Sequence, residues 1–374
     1  MKQVWLTDMA VSTSLGDLES TWERLLAGES GIGPVGHFSV DGYVSDRAAT
    51  IAGLEATGDR SRLDTLLDRL LADLPPLPAK TRLLLATTKG RIDLLERGLR
   101  TAGATGNAEV TPLLDDLQRR LGVVGGVNIN AACASSTIAL ARGAGMIAHG
   151  AAEAVLVIGV DIVSEFVFSG FSALKGMSPT PCRPFDAERD GLTLGEGGGA
   201  VLLMAREAAE SGGREPKALL SGWGVASDAH HVTAPARDGC GLVQAVRQAL
   251  QVAGAEAEAV AGISAHGTGT PFNDAMELTA FRTLFGDRPV PLHGVKGALG
   301  HTLGAAGVIE AAMAVRSLAS GQLPPTIGLR TPDPLAAGPV SAEPLSLDEG
   351  LLLSTNSGFG GINGALLLGK GERC

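Results

Sequence analysis

The chain alternates short apolar runs with longer stretches whose apolar residues recur at helical spacing. VWLTDMAV, RLLLATT and AVLVIGV have the length of strands, whereas DLESTWERLLAG and GRIDLLERGLR repeat with a period near that of a helix. Strand-like and helix-like segments follow one another through the first half of the chain. This order predicts an α/β protein in which helices cover a sheet.

The second part of the chain repeats the scheme. ALLSGWGVAS is followed by the helical pattern GLVQAVRQALQVAG, the strand GISAH and a helix from about Asn273, and GVIEAAMAVRSLASG precedes paired strands near the end. NINAACASS and GISAHGTGT are expected to hold matching places, each delivering a reactive residue from a strand into a turn before a helix. We therefore predict two similar α/β halves, residues 1–212 and 213–374, related by an internal duplication.

Composition and charge exclude several classes of protein. With 374 residues, 45% of them hydrophobic and 19% charged, the chain can bury a large core. A net charge of −10 argues against a general nucleic-acid binder. No run of eighteen apolar residues occurs, and the N-terminal apolar run is too short for a signal core. We expect a cytoplasmic protein that does not associate with membranes.

Metal and phosphate-loop motifs are also missing from the sequence. Cys133, Cys182, Cys240 and Cys374 show neither C-x-x-C nor metal-ligand spacing, so we expect reduced thiols and no metal site. The glycine runs GEGGG and GFGG lead into strands and not into the helix that a phosphate loop requires.

One cysteine lies where a strand gives way to a helix. In NINAACASSTIALARGAGMIAHG the Ala-rich helical pattern begins just after Cys133. Unpaired N–H groups and the helix dipole favour a thiolate there, so Cys133 is a candidate nucleophile with a lowered pKa. A buried cysteine that packs as a small hydrophobic residue is the alternative.

Three further segments favour the interpretation of Cys133 as a nucleophile. AHGTGTPFNDAMEL carries His266, GVKGALGHTLGAAGVIEA carries Lys296, His301 and Glu310, and STNSGFGGINGALLL carries Phe359. Together with the Cys133 turn, RPFDAERDGLTLGEGGG and ASDAHHVTAP, they resemble the elongating β-ketoacyl-[acyl-carrier-protein] synthases of the thiolase-like superfamily. The resemblance extends from about Val4 to Leu368. It fades between residues 45 and 120, where this chain is also shorter than the family's usual pattern.

The resemblance implies a fold and a reaction. The fold is thiolase-like, with two similar halves in a layered αβαβα arrangement. The reaction is a decarboxylative Claisen condensation of a cysteine-bound acyl chain with malonyl-acyl carrier protein, which yields 3-oxoacyl-acyl carrier protein in fatty-acid or type II polyketide or polyene biosynthesis. LLLATTKGRIDLLE departs from the glycine-rich sequence that is usual for the family at this place, and Lys89 is unexpected there. This departure favours a specialised pathway.

The family's site residues map onto this sequence one by one. Cys133 is the implied nucleophile, His266 and His301 the implied donors to the enolate, and Lys296 and Glu310 the residues that orient this pair. The implied oxyanion hole consists of the backbone N–H groups of Cys133 and Phe359, and the Phe359 ring is the implied gate of the acyl tunnel.

Binding residues are implied in the same way. Thr233, Thr268 and Thr270 match positions that line the phosphopantetheine tunnel, although each hydroxyl could instead serve only its own turn. The phosphopantetheine arm arrives on acyl carrier protein, so no further cofactor is expected. Lys175, with Arg60 and Arg62 as additional candidates, is expected to dock that acidic carrier in its acyl and malonyl forms.

Assembly and alternative activities complete the expectations. We expect a homodimer or a heterodimer with a related ketosynthase-like subunit. A thiolase or priming synthase is one alternative, and the pairing of His266 with His301 argues against it. The other alternative is a noncatalytic partner subunit that shapes the tunnel of a heterodimer, and the presence of Cys133 with both histidines argues against that.

Overall fold

A computed structural model describes residues 1–101, 103, 105–123, 125–336 and 339–371. Cys374, one of the four cysteines considered above, lies outside the described residues. The strands are β1 Val4–Thr13, β2 Gly16–Asp17, β3 Ile32–Pro34, β4 Arg47–Ala49, β5 Arg82–Ala86, β6 Gly126–Asn128, β7 Ala154–Asp161, β8 Gly197–Ala205, β9 Ala218–Ser227, β10 Val260–Ser264, β11 Leu292–His293, β12 Gln322–Leu323, β13 Leu345–Ser346, β14 Leu351–Gly358 and β15 Ile362–Lys370.

The α-helices are α1 Leu18–Leu26, α2 Arg62–Ala72, α3 Ile92–Thr101, α4 Val110–Leu121, α5 Ser135–Ala148, α6 Glu165–Ala173, α7 Arg206–Ser211, α8 Cys240–Ala253, α9 Pro271–Phe285, α10 Lys296–Leu299 and α11 Ala306–Ser320. Short 3-10 helices cover Gly106–Ala108, Ala257–Ala259, Leu303–Ala305 and Pro334–Ala336.

The strands of the two halves are arranged in the same way. In the first half the order is β6-β5-β7-β8-β1, and in the second it is β11-β10-β14-β15-β9. In both, the first three strands are parallel and the last two pairings are antiparallel. The halves meet where β1 pairs with β9, at Trp5 with Leu219 and Leu6 with Ala218. The prediction of two similar α/β halves is confirmed.

The strand order corrects one detail of the expected duplication. His266 follows β10, which is the second strand in its half's spatial order and therefore corresponds to β5. Cys133 follows β6, which corresponds to β11, the strand that leads toward Lys296 and His301. NINAACASS and GISAHGTGT therefore do not hold matching places. Each segment shows a short strand before a turn but not which strands it pairs with, so the sequence alone could not reveal the difference.

Two helices form the central layer of the fold. α5 and α11 pack against each other and against strands of both halves. Their core includes Val157 and Leu203 of the first half with Leu352 and Leu366 of the second. Helices that are apolar all round require such burial on every side. α11 continues the short helix before it, so that Leu303–Ser320 is long and apolar enough to cross a membrane, and 83% of this stretch is buried inside the fold.

Two outer layers complete the arrangement. α2 covers the outer face of the first half, where it packs on strand residues such as Leu85 and Leu156. α8 covers the second half, where it packs on residues such as Leu353 and Leu367. Alternate residues of β7 point to the central and outer cores, which explains its uninterrupted apolar sequence. The layered αβαβα arrangement is confirmed, whereas the division at residues 212 and 213 stays a prediction.

Candidate active site

The candidate nucleophile lies in a tight turn directly before α5. Ala132 adopts a left-handed conformation with φ of 49°, which is uncommon for a residue with a side chain. The Ser135 hydroxyl holds the turn by accepting from the Ala131 N–H at 2.9 Å and donating to the Ala132 carbonyl at 2.6 Å. Cys133 is thereby placed at the start of a buried helix with only 7% of its surface exposed.

The thiol is not acidic in this environment. Burial raises the pKa of Cys133 to about 12, although the Lys296 ammonium and the backbone N–H of Phe359 oppose this rise. The sequence predicts a lowered pKa from the helix N-terminus, and that prediction is wrong in direction. Desolvation of the buried thiolate outweighs the opposing effects of the Lys296 ammonium and the Phe359 N–H. Cys133 therefore carries its proton at neutral pH and needs an acceptor.

His266 and His301 lie side by side as the sequence requires. Their ring centroids are 5.3 Å apart and the rings are nearly perpendicular. Burial and then the Lys296 ammonium hold the pKa of each imidazole well below its usual value, and His301 lowers that of His266 further. Both rings are neutral at pH 7 for this reason.

The hydrogen bonds of His266 define its tautomer. Its Nδ1 accepts from the Asn356 side-chain amide at 3.0 Å and faces the Lys296 ammonium at 3.3 Å. Because Nδ1 is an acceptor, the single proton of the neutral ring is on Nε2. The backbone is fixed separately, since Glu277 accepts from the N–H groups of His266 and Gly267 at 2.7 and 2.8 Å. His266 thus presents an N–H donor on the side away from Asn356.

A buried ion pair supports His266. The ammonium of Lys296 is 2.5 Å from the carboxylate of Glu310 and also donates to the His266 carbonyl. Glu310 accepts a second bond from Asn356 at 2.7 Å. Burial raises the pKa of Glu310, while Lys296 acts in the opposite direction. Lys296 and Glu310 are brought together with His266 as expected.

Asn356 is a functional residue that the sequence analysis missed. Its amide donates to both His266 and Glu310, and its oxygen accepts from the Thr137 hydroxyl. A buried Asn at the end of an apolar strand, just before the glycine turn, was the available signal. Such a side chain must find several partners in the core.

His301 is held by backbone contacts and is free at one ring nitrogen. The backbone N–H of His301 donates to the Thr193 carbonyl at 2.7 Å, and the backbone carbonyl of His301 accepts from the Gly195 N–H at 3.0 Å. Its buried Nδ1 has no hydrogen-bond partner among the described residues. Unlike His266, His301 is therefore not confined to one tautomer.

The candidate nucleophile and both histidines line one cavity of about 390 Å³. Its wall includes the Cys133, His266, His301 and Phe359 side chains. The backbone N–H of Phe359 faces the Cys133 sulfur. A Cβ at Gly358 would lie 2.7 Å from the Ala131 carbonyl, so only glycine permits this approach between the two loops. The Phe359 ring is 38% exposed and stacks on Phe171 with centroids 5.8 Å apart.

The three predicted tunnel threonines also line this cavity. The Thr268 hydroxyl lies 2.9 Å from that of Thr270 and 3.3 Å from Asp274, and the Thr233 hydroxyl lies 3.4 Å from the His231 ring. Each hydroxyl has a local partner in its own loop. Their placement on the cavity wall leaves room for contacts to a bound arm in addition.

The predicted docking residues separate into three environments. Lys175 is exposed and lies on the wall of the same cavity. Arg60 is exposed, pairs with Asp68 and lines a different, charged cavity of about 740 Å³. Arg62 is 8% exposed and pairs with Glu196 at 2.6 Å.

The expectation for Arg62 is corrected by this burial. Its guanidinium also donates to the carbonyls of Leu54 and Val163, at 3.1 and 2.9 Å. A buried arginine whose donors are used inside the fold cannot present charge to a partner.

Among the described residues there is no group of three or more potential metal ligands.

Comparisons with known proteins agree with this geometry. Residues 120–209 match the family described as beta-ketoacyl synthase, N-terminal domain, and residues 217–330 match its C-terminal domain. The N-terminal match begins only at residue 120, consistent with the expected divergence before it. The chain is 30% identical to 3-oxoacyl-[acyl-carrier-protein] synthase 2 of Vibrio harveyi, with 99% of each chain covered.

Solved structures extend the comparison to three dimensions. The ishigamide ketosynthase/chain length factor superposes with a TM-score of 0.90 at 30% identity, with 99% of each chain covered. A ketosynthase in complex with its chain length factor from Xenorhabdus doucetiae superposes with a TM-score of 0.82 at 27% identity, covering 99% of this chain and 98% of the other.

Proposed function

The chain belongs to the β-ketoacyl synthase family, and on this premise we propose that Cys133, His266 and His301 carry out decarboxylative condensation of an acyl group with malonyl-acyl carrier protein. The observation that carries the proposal is their convergence on one cavity with the Phe359 backbone N–H. The reaction has an acylation half and a condensation half, and the site supports each.

Acylation requires a proton acceptor because the Cys133 thiol is protonated. His266 presents an N–H and cannot take the proton, whereas His301, whose Nδ1 has no partner among the described residues, is free to adopt the tautomer in which Nε2 is an acceptor. We assign the acceptor role to His301. The Cys133 sulfur forms a bond to the thioester carbon, the bond to the carrier sulfur breaks, and the proton leaves on the carrier thiol.

Charge on the thioester oxygen is stabilised by backbone donors. Cys133 and Phe359 supply N–H groups beside the close contact at Gly358, where a Cβ would lie only 3.2 Å from the Cys133 nitrogen. Donors fixed in this way need no rearrangement as the oxyanion forms. The two halves of the fold contribute one donor each.

Condensation begins when a malonyl thioester enters the cavity. The bond between its carboxylate and the α-carbon breaks, CO2 leaves, and the electron pair forms an enolate. The Nε2–H of His266 and that of His301, in the corresponding tautomer, donate to the enolate oxygen. The enolate carbon then bonds to the acyl carbon, the bond from that carbon to the Cys133 sulfur breaks, and the released thiolate takes one proton from water, the proton that decarboxylative condensation consumes.

The partners and location follow from the same proposal. Carrier protein delivers both substrates on its own phosphopantetheine arm, so the enzyme needs no cofactor, and Lys175 is the docking residue that remains exposed at the cavity. The Vibrio harveyi relative is named for acyl carrier protein, and the Xenorhabdus doucetiae ketosynthase is in complex with a chain length factor. We propose a cytoplasmic dimer, with itself or with a related subunit.

Mass spectrometry of the intact protein tests the proposal against a noncatalytic subunit. After incubation with an acyl-carrier thioester, the mass should increase by one acyl group located on Cys133. A Cys182→Ala protein should be acylated equally, because that thiol is buried away from the cavity and contacts the Lys296 carbonyl at 3.2 Å. No adduct on the wild-type protein would support the tunnel-shaping alternative.

A further inference from the structure

Two large apolar side chains are exposed at the cavity that holds the catalytic residues. Phe272 is 64% exposed and Leu174 is 55% exposed, and both line the cavity wall. Neither residue belongs to a hydrophobic cluster among the described residues. Exposed apolar side chains grouped at a cavity mark a binding site, because their contact with water is unfavourable.

One segment of the chain lines this cavity from its floor to its mouth. Its alternate residues all contribute to the wall: His266, Thr268, Thr270 and Phe272. The first two of them are buried, Thr270 is half-buried and Phe272 is exposed. Exposure therefore increases along the segment with distance from the catalytic histidine. Phe272 lies at the mouth, and a thioester that reaches Cys133 from solvent passes it.

The backbone that carries Phe272 is fixed at the start of α9. Asp274 is fully buried, and its carboxylate accepts from the Thr268 N–H at 3.0 Å. The Asn273 amide donates to Glu277 at 2.9 Å. Because the backbone is already in place, only the Phe272 side chain has to become ordered when a ligand binds, which keeps the entropic cost small.

The backbone at Leu174 is fixed in a similar way. α6 ends at Ala173, and the N–H groups of Leu174, Lys175 and Gly176 donate to carbonyls of α6 at 3.0 to 3.1 Å. Lys175 has a φ of 54°, in the left-handed region that is uncommon for a residue with a side chain. This tight turn brings the apolar Leu174 and the cationic Lys175 to the cavity wall together.

The chemical order of the phosphopantetheine arm matches the order of groups along the cavity. Outward from its sulfur, the arm carries two amides, then a carbon with two methyl groups, and then a phosphate. Outward from Cys133, the cavity presents threonine hydroxyls and then the exposed apolar side chains beside the Lys175 ammonium. Hydroxyls can bond amides, whereas methyl groups are stabilised by apolar side chains.

We propose that Phe272 and Leu174 form an apolar rim that binds the dimethyl-bearing segment of the arm at the cavity mouth. This inference rests on the proposed function and specifies which part of the carrier-bound substrate these two residues recognise. Binding removes the methyl groups and part of both side chains from water. Because this contact involves no charge, it should not weaken when salt is added, unlike docking at Lys175.

The test compares acylation of Cys133 by octanoyl thioesters of pantetheine, of a pantetheine analogue without the two methyl groups, and of N-acetylcysteamine, which ends before them. In Phe272→Ala, kcat/KM for the pantetheine thioester should fall about three- to tenfold, mainly through KM, whereas the other two values stay within about twofold. The wild-type protein should prefer pantetheine over its analogue by a similar factor. Leu174→Ala should show a smaller loss of the same kind, and Phe272→Leu should retain most of the preference.

Leu335→Ala is the matched control, because it shortens an apolar side chain of similar exposure that lines a separate cavity. It should leave all three thioesters unchanged. Equal losses of Phe272→Ala on all three would overturn the rim by assigning Phe272 to folding or chemistry. An unchanged value for the pantetheine thioester would also overturn it, and a loss on octanoyl-carrier protein alone would assign Phe272 to the carrier surface. Failure of octanoyl-carrier protein to acylate the wild-type protein would instead contradict the proposed function.

Discussion

The loops after β5 and β10 occupy equivalent positions in the two halves but have different chemistry. The β10 loop carries His266, which is buried and held by Asn356, Lys296 and Glu277. The β5 loop carries Lys89, which is exposed and unpaired within the described residues. The repeated topology places both loops at the carboxyl ends of corresponding strands, and burial with specific partners distinguishes His266, the proposed hydrogen-bond donor, from Lys89.

The next pair of loops shows a division of labour. The loop after β6 carries Cys133, and the corresponding loop after β11 leads to Lys296 and His301. Under the proposed function, the first half supplies the covalent attachment point, and the second half supplies the proton acceptor and the hydrogen-bond donors to the enolate. Substitutions on one side at a time test this division.

The largest effects are expected for the two histidines. His266→Ala should lower the rate of malonyl-carrier decarboxylation by about 10²–10³, because one enolate donor is lost, while acylation of Cys133 continues. His301→Ala should lower decarboxylation similarly and should also slow acylation at neutral pH. Acylation should recover in His301→Ala as the pH rises, since hydroxide can then remove the thiol proton. Rapid-quench assays of each half-reaction would show this.

Equal acylation rates for the two histidine variants across the pH range would contradict the assignment of the proton acceptor to His301. A variant that decarboxylates at the wild-type rate would remove the corresponding histidine from the enolate site. Thermal unfolding of both variants serves as the control for folding, because each ring is buried.

A smaller effect is expected when the tautomer of His266 is released. Asn356→Ala removes the amide that donates to Nδ1, and it leaves Glu310 with one donor fewer. Loss of such a buried partner costs about 1–3 kcal/mol, or roughly five- to 150-fold in decarboxylation. Acylation should change little, because His301 is not a partner of Asn356. Proportional losses in both half-reactions would show that Asn356 maintains the fold and does not position His266.

Sequence patterns could predict much of this arrangement, and the reasons for the exceptions are physical. Strand and helix periodicity predicted the two α/β halves. The motifs predicted one site, formed by Cys133, His266, His301, Lys296 and Glu310. Desolvation depends on what covers a residue, so the direction of the Cys133 pKa could not be obtained from its place before a helix.

Arg62 and Asn356 also depend on contacts that the local sequence does not show. Arg62 was predicted to bind a partner and does not reach one, whereas Asn356 was not predicted and belongs to the site. Arg62 is an arginine in a polar stretch, yet α2 packs it inward onto Glu196. Asn356 is one amide in an apolar strand, yet it connects His266 with Glu310. Partners more than a hundred residues away decide the role of Arg62, and no local pattern contains them.

The resting state of the thiol gives a pH prediction. Because burial raises the pKa of Cys133 to about 12, the fraction of thiolate should increase about tenfold per pH unit through neutrality. Alkylation of the wild-type protein by iodoacetamide, followed at the Cys133 peptide, should rise with that slope between about pH 7 and pH 10. Exposed Cys240 serves as an internal comparison. A plateau near neutral pH would indicate an acidic thiol and would contradict the need for His301 as acceptor.

The smallest effect is expected at the rim of the cavity. Lys175→Glu should raise KM for carrier-bound substrate severalfold with little change toward a short thioester mimic, because only the carrier contacts this surface. The defect should vary with salt, since exposed charges are screened over about 8–10 Å. Arg282→Glu makes the same charge reversal beside a separate surface cavity and should have no such effect. Equal losses on carrier and mimic would assign Lys175 to folding or chemistry.

The division of labour between the halves is tested most directly by Cys133→Ala in the two half-reactions. Decarboxylation needs only the donors of the second half, so this variant should still release CO2 from malonyl-carrier protein. It should form no acyl-enzyme and no 3-oxoacyl product, because the attachment point of the first half is gone. A Cys133→Ala protein that still condenses acyl and malonyl carriers would contradict the account.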